Sequence, residues 1–104
     1  MKIKLSIVVP VYNEEESIPE LTEWIFRVVG GANITTEILM IDDGSTDASW
    51  AVIQQLSSAD PRVRGFRFNR NYGKSAALQT GFDHAQGDVV VTMDADLQDS
   101  PDEL

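Results

Sequence analysis

An open α/β fold, with a mainly parallel sheet and helices on both faces, is the architecture this sequence predicts. Three observations predict it. Short β-branched runs alternate with stretches of helical periodicity, in the order βαβαβαβ, along 104 residues. The strand runs are continuously apolar, as strands covered on both faces are. Polar clusters follow three of the four strands at the carboxyl edge of the sheet, where open α/β sheets bind ligands. The length fits one small domain.

The elements follow in order. Residues 5–11 are a β-branched run that reads as the first strand. Ser17 is placed to cap the next helix, Glu20 to complete a capping box, and Pro19 to sit in the first turn. Leu21, Trp24, Ile25 and Val28 recur at helical spacing, and Gly30-Gly31 is expected to stop the helix. Residues 37–41 form a second strand that ends at Asp42-Asp43-Gly44-Ser45. A second helix starts near Asp47, with Ala48, Val52 and Leu56 on one face. Pro61 ends a linker, and residues 63–68 read as a third strand. Residues 73–85 read as a third helix, closed by Gly87. Residues 89–93 read as a fourth, buried strand that ends at Asp94-Ala95-Asp96. Right-handed crossovers connect these parallel strands.

Composition narrows the function. With 42% hydrophobic and 24% charged residues the chain is globular in character. A net charge of −9 argues against nucleic acid as a partner. Cysteine is absent, so there is no disulfide framework and no thiolate metal site. No apolar run approaches the roughly 18 residues needed to span a bilayer. The first residues imitate a signal peptide but run into Asn13-Glu14-Glu15-Glu16 without a cleavage site. The expected location is the cytoplasm. The acids gather in two groups, Asp42, Asp43 and Asp47, and Asp94, Asp96, Asp99, Asp102 and Glu103. Such groups are either a solvated surface or a cation site, and position at the strand ends favours the second.

Several nucleotide-binding classes are excluded. A dinucleotide-binding domain carries G-x-G-x-x-G after its first strand, but that turn here reads Pro10-Val11-Tyr12-Asn13-Glu14. Gly73-Lys74-Ser75 has the tail of a P-loop, yet its required first glycine is Phe68. A phosphoacceptor receiver domain carries its acid pair after the first strand, and here the pair follows the second. Without a glycine cradle, another group must neutralise phosphate. Asp94 and Asp96 lie two apart in an extended segment, so their carboxylates point to one side. Two such oxygen ligands can hold Mg²⁺ or Mn²⁺, with substrate phosphates completing the shell.

Four motifs, Val8-Val9-Pro10-Val11-Tyr12-Asn13-Glu14, Ile41-Asp42-Asp43-Gly44-Ser45-Thr46-Asp47, Asn71-Tyr72-Gly73-Lys74 and Asp94-Ala95-Asp96-Leu97-Gln98, resemble those of family 2 glycosyltransferases in order and spacing. The last is similar to the branch that loads sugars onto polyprenyl phosphates: dolichol-phosphate mannose synthases, bactoprenol glucosyltransferases and undecaprenyl-phosphate aminoarabinose transferases. Asn69-Arg70-Asn71-Tyr72-Gly73 looks most like the aminoarabinose group. That branch often continues with paired prolines, where this chain reads Asp99-Ser100-Pro101.

The resemblance implies a Rossmann-like GT-A fold and inverting transfer from a UDP- or GDP-linked sugar, with polyprenyl phosphate as acceptor. It implies that Pro10, Tyr12 and Glu14 line the base and ribose pocket. An aromatic at a strand end and an acid at a helix start also have ordinary structural explanations. Asp43 corresponds to the nucleotide-binding acid, with Ile41 beside it, and Asp42 points the other way to support the turn. Asp96 is the direct metal ligand, and Asp94 contacts ribose or reaches metal through water, with Ala95 between them. Gln98 faces the acceptor phosphate or donor sugar, or is an exposed loop side chain. Lys74 either helps hold the pyrophosphate or is a surface lysine. His84 is assigned no catalytic role, and Trp24 and Trp50 are core packing. The resemblance further implies that residues 1–104 are the donor half of a longer domain. The isolated chain is then expected to be inactive and either to self-associate or to be only marginally stable, and the full protein is expected to attach to the cytoplasmic face of the membrane.

Overall fold

The computed structural model describes residues 2–95. The elements are β1 (Leu5–Val11), α1 (Ile18–Ala32), β2 (Thr36–Asp42), α2 (Ser49–Ala59), β3 (Val63–Arg67), α3 (Lys74–His84) and β4 (Val89–Thr92). The four strands form one parallel sheet in the order β3-β2-β1-β4. β1 pairs with β2 from Leu5↔Thr36 to Val11↔Asp42 and with β4 from Leu5↔Val89 to Val8↔Thr92. The chain therefore winds outward from β1 to β3 and returns to β1's other side. The switch point lies between β1 and β4, where such sheets open a crevice at the strand ends.

Side-chain alternation along β1 and β2 sends residues into two layers. Ile7, Val9, Val11, Ile38 and Met40 pack with Ile18, Leu21, Ile25 and Val29 of α1 and Ile53 of α2. Val8, Leu39 and Ile41 pack with Ala77 of α3. Helices thus cover both faces, as predicted. Gly81 lets α3 lie close on β1, since a Cβ there would stand 2.2 Å from a Val8 methyl. Trp24 and Trp50 pack at the rim of the first layer.

Local details differ from expectation. α1 continues through Gly30-Gly31 and ends in a Schellman turn. Asn33 takes a left-handed conformation (φ 57) and donates its N–H to Gly30 O, while Ile34 N–H donates to Val29 O. Asparagine tolerates that conformation, whereas two helical glycines with free space around them do not compel a stop. Ser17 already has helical dihedrals and its hydroxyl makes no cap bond, so no capping box forms. Val28 is exposed and Val29 is buried in its place. On α2 the buried residues are Ser49 and Ile53, one position on from the predicted face, with Val52 and Leu56 only partly covered. β4 is not a buried strand. Among the described residues it has one neighbour, β1, and Val89, Val90 and Val91 are 52, 40 and 39% exposed.

At the amino edge of the sheet a buried carboxylate ties four segments together. Glu37, 2% exposed, accepts hydrogen bonds from Ser6 Oγ (2.6 Å), Gln86 N (2.7 Å) and Arg64 Nη1 (3.1 Å). Burial pushes the Glu37 carboxyl up, but these donors outweigh it and hold the group below the usual glutamate range. Among the described residues no helix is long and apolar enough to cross a membrane.

Candidate functional site

At the carboxyl edge, the loop after β1 is stitched to the loop after β2. Asn13 is left-handed (φ 53), and its Oδ1 accepts the N–H groups of Thr46 (2.8 Å) and Asp47 (3.3 Å). Its own N–H donates to Ser45 Oγ, and Glu14 N–H donates to Ser49 Oγ, both at 2.9 Å. Glu15 N–H reaches Asp47 Oδ2 at 3.3 Å. Asp47 Oδ1 in turn accepts Ser49 N–H at 2.8 Å, serving the start of α2 where Ala48 offers no side-chain cap. Burial raises the Asp47 carboxyl, yet hydrogen bonds from Ser49 and from Glu15 N–H bring it below the usual aspartate range.

The two adjacent aspartates divide as alternation predicts. Asp42 is fully buried and its Oδ1 accepts Ser45 N–H at 3.0 Å, which supports the turn. Its Oδ2 is the one buried side-chain polar atom without a partner among the described residues. Asp43 faces the other way. Its Oδ1 accepts Tyr72 N–H (2.7 Å) and Gly73 N–H (3.2 Å), and its Oδ2 accepts Gly73 N–H (3.1 Å). The segment before α3 is thereby held over the turn at Gly44. That close approach requires glycine: φ is +74, and a Cβ would stand 2.2 Å from the Arg70 carbonyl carbon.

Between these loops and the end of β4 lies a cleft of about 260 Å³, lined by Pro10, Val11, Tyr12, Glu14, Asp43, Lys74, Asp94 and Ala95. It sits at the switch point of the sheet. Lys74, the first residue of α3, reaches across it to Asp94, with Nζ to Oδ1 at 2.7 Å and side chains 61% and 64% exposed. Tyr12 is 46% exposed.

The structure thus brings together Pro10, Tyr12, Glu14, Asp43, Lys74, Asp94 and Ala95. Ile41 is not among the lining residues. It shares Asp43's face of β2 but lies one step deeper, fully buried with Val8, Leu39 and Ala77. Asp96 and Gln98 lie outside the described residues. His84 is at the far end of α3, its Nδ1 2.8 Å from Thr80 O. Sequence reasoning missed Val11 as a lining residue and the clamp of Asn13, Ser45, Asp47 and Ser49. The signal was present: asparagine at a strand-to-helix turn both tolerates a left-handed backbone and accepts backbone N–H groups.

The donor set suits a hard divalent cation. Asp94 presents an open carboxylate that already faces a cation, the Lys74 ammonium, and Glu14 lines the same cleft. Asp43 has both oxygens engaged by backbone N–H groups. Among the described residues no three acidic, histidine or cysteine side chains converge. Mg²⁺ or Mn²⁺ fits such a site, because it is commonly held by one or two carboxylates together with substrate phosphates.

A parallel α/β sheet with an acid-lined cleft at its switch point defines a ligand-binding domain of the open α/β class. Within that class the chain belongs to glycosyl transferase family 2, whose sequence model matches residues 6–104. It is 45% identical over 102 residues to proteins named undecaprenyl-phosphate 4-deoxy-4-formamido-L-arabinose transferase from Salmonella choleraesuis and Salmonella paratyphi A. That alignment covers 97% of this chain and 31% of each relative, so the chain spans about a third of their length. Among solved structures it is similar to the mannosyltransferase PcManGT from Pyrobaculum calidifontis in complex with GDP-Man and Mn²⁺. The TM-score is 0.76 at 27% identity, covering 92% of this chain and 28% of that one. S. aureus TarS (residues 1–349) shares the fold, with a TM-score of 0.74 at 22% identity over 94% of this chain and 31% of that one. The fold is that of the GT-A glycosyltransferases.

Proposed function

We propose that the chain is the donor-binding part of an inverting glycosyltransferase that moves a sugar from a UDP- or GDP-linked donor to a polyprenyl phosphate. One observation carries the reading. Seven residues from four separate segments of the chain, all of which the sequence alone points to, line one cleft at the switch point. The names of the relatives make undecaprenyl phosphate the first acceptor to test and 4-deoxy-4-formamido-L-arabinose the first sugar. The complex with GDP-Man and Mn²⁺ makes GDP and Mn²⁺ the first ligands to try beside UDP and Mg²⁺.

In this reading Tyr12 offers its flat face to the base beside Pro10, and Glu14 accepts hydrogen bonds from base or ribose. Asp43 already accepts three hydrogen bonds of the roughly four a carboxylate can take, which leaves one for the nucleotide. Lys74 neutralises pyrophosphate at the start of α3. Asp96 and Asp94 hold the cation, which when bound supplies Lewis-acid stabilisation of the departing pyrophosphate. Gln98 faces the acceptor phosphate or the donor sugar. A phosphate acceptor is already an anion and needs no general base. A lipid acceptor puts the protein at the cytoplasmic face of the membrane.

The test is calorimetric titration with UDP, GDP and ADP in the presence of Mn²⁺. UDP or GDP is expected to bind more tightly than ADP, and equal or absent binding by folded protein would sink the donor site. A second reading, a donor-binding module that transfers nothing by itself, is favoured by the exposed valines of β4, which among the described residues pairs only with β1 and so offers a surface for self-association. A radiolabelled-sugar transfer assay beside light scattering separates the two. Transfer by a monodisperse monomer would exclude the module.

A further inference from the structure

We propose that Lys74 and Asp94 are an exchangeable ion pair that couples cation binding to nucleotide binding. The inference rests on the donor-site reading above. It says how the site loads, which that reading leaves open.

The pair spans the cleft. Lys74 opens α3, just after Gly73 in its left-handed conformation (φ +104), and Asp94 lies two residues beyond the end of β4. Their contact is a charge-assisted hydrogen bond of 2.7 Å to Asp94 Oδ1. An ammonium and a divalent cation both seek that oxygen, and each repels the other. A cation arriving alone must therefore displace Lys74 and leave its charge beside its own. A nucleoside diphosphate arriving alone must draw Lys74 away and leave Asp94 uncompensated next to an incoming anion. When both arrive, Lys74 turns to phosphate, Asp94 turns to the cation, and neither charge is stranded. Each ligand removes the obstacle to the other, which is positive coupling and must be reciprocal.

Exposure makes the exchange feasible. Both side chains are more than half exposed, and an exposed pair is weak enough to trade partners. The Arg64–Glu37 pair differs: its acid is 2% exposed and has two further donors, so it cannot be exchanged without stranding buried groups. Among the described residues, which hold all eight lysines and arginines, Lys74 is the only one that lines the cleft.

The experiment measures free Mn²⁺ by electron paramagnetic resonance, with and without UDP or GDP, and nucleotide affinity with and without Mn²⁺. In the unmodified chain, nucleotide and Mn²⁺ are expected to tighten each other by one common factor. Lys74→Met is expected to tighten Mn²⁺ binding in the absence of nucleotide by about fivefold and to lower the coupling factor by a similar amount, the scale of one exposed ion pair. In an Asp94→Asn background the same lysine change is expected to alter Mn²⁺ affinity less than about twofold. Lys74→Gln, which keeps a polar group without charge, is expected to behave as Lys74→Met does. An unmodified chain that couples Mn²⁺ and nucleotide while Lys74→Met leaves Mn²⁺ affinity unchanged or weaker would overturn the exchange alone. A chain that binds neither UDP nor GDP with Mn²⁺ would overturn the donor site and the exchange together.

Discussion

Two basic–acidic pairs at opposite ends of this small sheet, Arg64–Glu37 and Lys74–Asp94, do opposite things. At the amino edge Glu37 is buried and fully satisfied by Ser6, Gln86 and Arg64. Its charge is spent on joining β1, β2, β3 and the segment before β4. At the carboxyl edge Asp94 is open to solvent and answers to one lysine. The distances differ by only a few tenths of an ångström, so length does not distinguish them. Burial and the number of donors do. A carboxylate surrounded by its own chain's donors holds structure, and one with spare capacity facing a cleft is available to a ligand.

The strongest way to break this contrast is to remove the buried acid. Glu37→Ala leaves the Ser6 hydroxyl and the Gln86 N–H without their acceptor and takes the carboxylate from Arg64, which keeps only His84 O. It is expected to lower stability by about 3 kcal/mol in urea unfolding. Nucleotide binding by the remaining folded fraction should be unchanged, because the cleft is at the opposite end of the strands. A loss under about 1 kcal/mol would show that the amino-edge network is not structural. The matching change in the proposed donor site is Asp96→Asn. It is expected to abolish the Mn²⁺ dependence of nucleotide binding, at about 2–3 kcal/mol, with little effect on unfolding. An unfolding defect without a binding defect would reverse the assignment.

A smaller effect is expected from pH. Glu37 and Asp47 are both held below their usual ranges, and the Arg62 guanidinium does the same for Asp60. A lowered carboxyl contributes stability that is complete above its unfolded value, roughly 4, and lost as pH falls through the folded value. Stability should therefore be flat near neutrality and fall only in acid. Glu37→Gln should flatten part of that acid limb, leaving the share of Asp47 and Asp60. An acid limb identical in the variant would mean that Glu37 is not preferentially ionised in the folded state.

Legibility in the sequence differed between the two ends as well. The order of elements was readable because β-branched runs and helical spacing alternate without ambiguity. Tyr12, Glu14, Asp43 and Asp94 were readable because polar clusters follow three strand ends, whereas Lys74 was legible only through the motif Asn71-Tyr72-Gly73-Lys74 and could equally have been a surface lysine. The Glu37 network was not, since its partners Ser6, Arg64 and Gln86 are scattered and only folding makes them neighbours. For the Asn13 clamp the residue type was a signal, but its partners were not legible, since its oxygen serves N–H groups more than thirty residues away. Local periodicity also misjudged α1 and β4. Asn33, not the glycine pair, ends α1. The apolar composition of β4 suggested burial, while among the described residues it pairs with β1 alone and its valines are exposed.

The smallest expected effect belongs to the acid that looks most anomalous. Asp42 is fully buried, and while Oδ1 holds Ser45 N–H, Oδ2 has no partner. Asp42→Asn keeps the first contact through the amide oxygen. It exchanges an unpartnered oxygen for an unpartnered amide NH2 group, so one desolvation penalty is relieved while another is incurred. The two oppose each other, and the net change in stability should stay within about 1 kcal/mol. Asp42→Ala removes the turn contact as well and should lose about 1 kcal/mol more. Neither should alter the Mn²⁺ dependence of nucleotide binding, because Asp42 faces away from the cleft that Asp43 lines. Unfolding curves and Mn²⁺ titrations on the two variants check this. Loss of Mn²⁺ dependence in Asp42→Asn would mean that the unpartnered oxygen serves the ligand. The division of labour between the adjacent aspartates would then have to be redrawn.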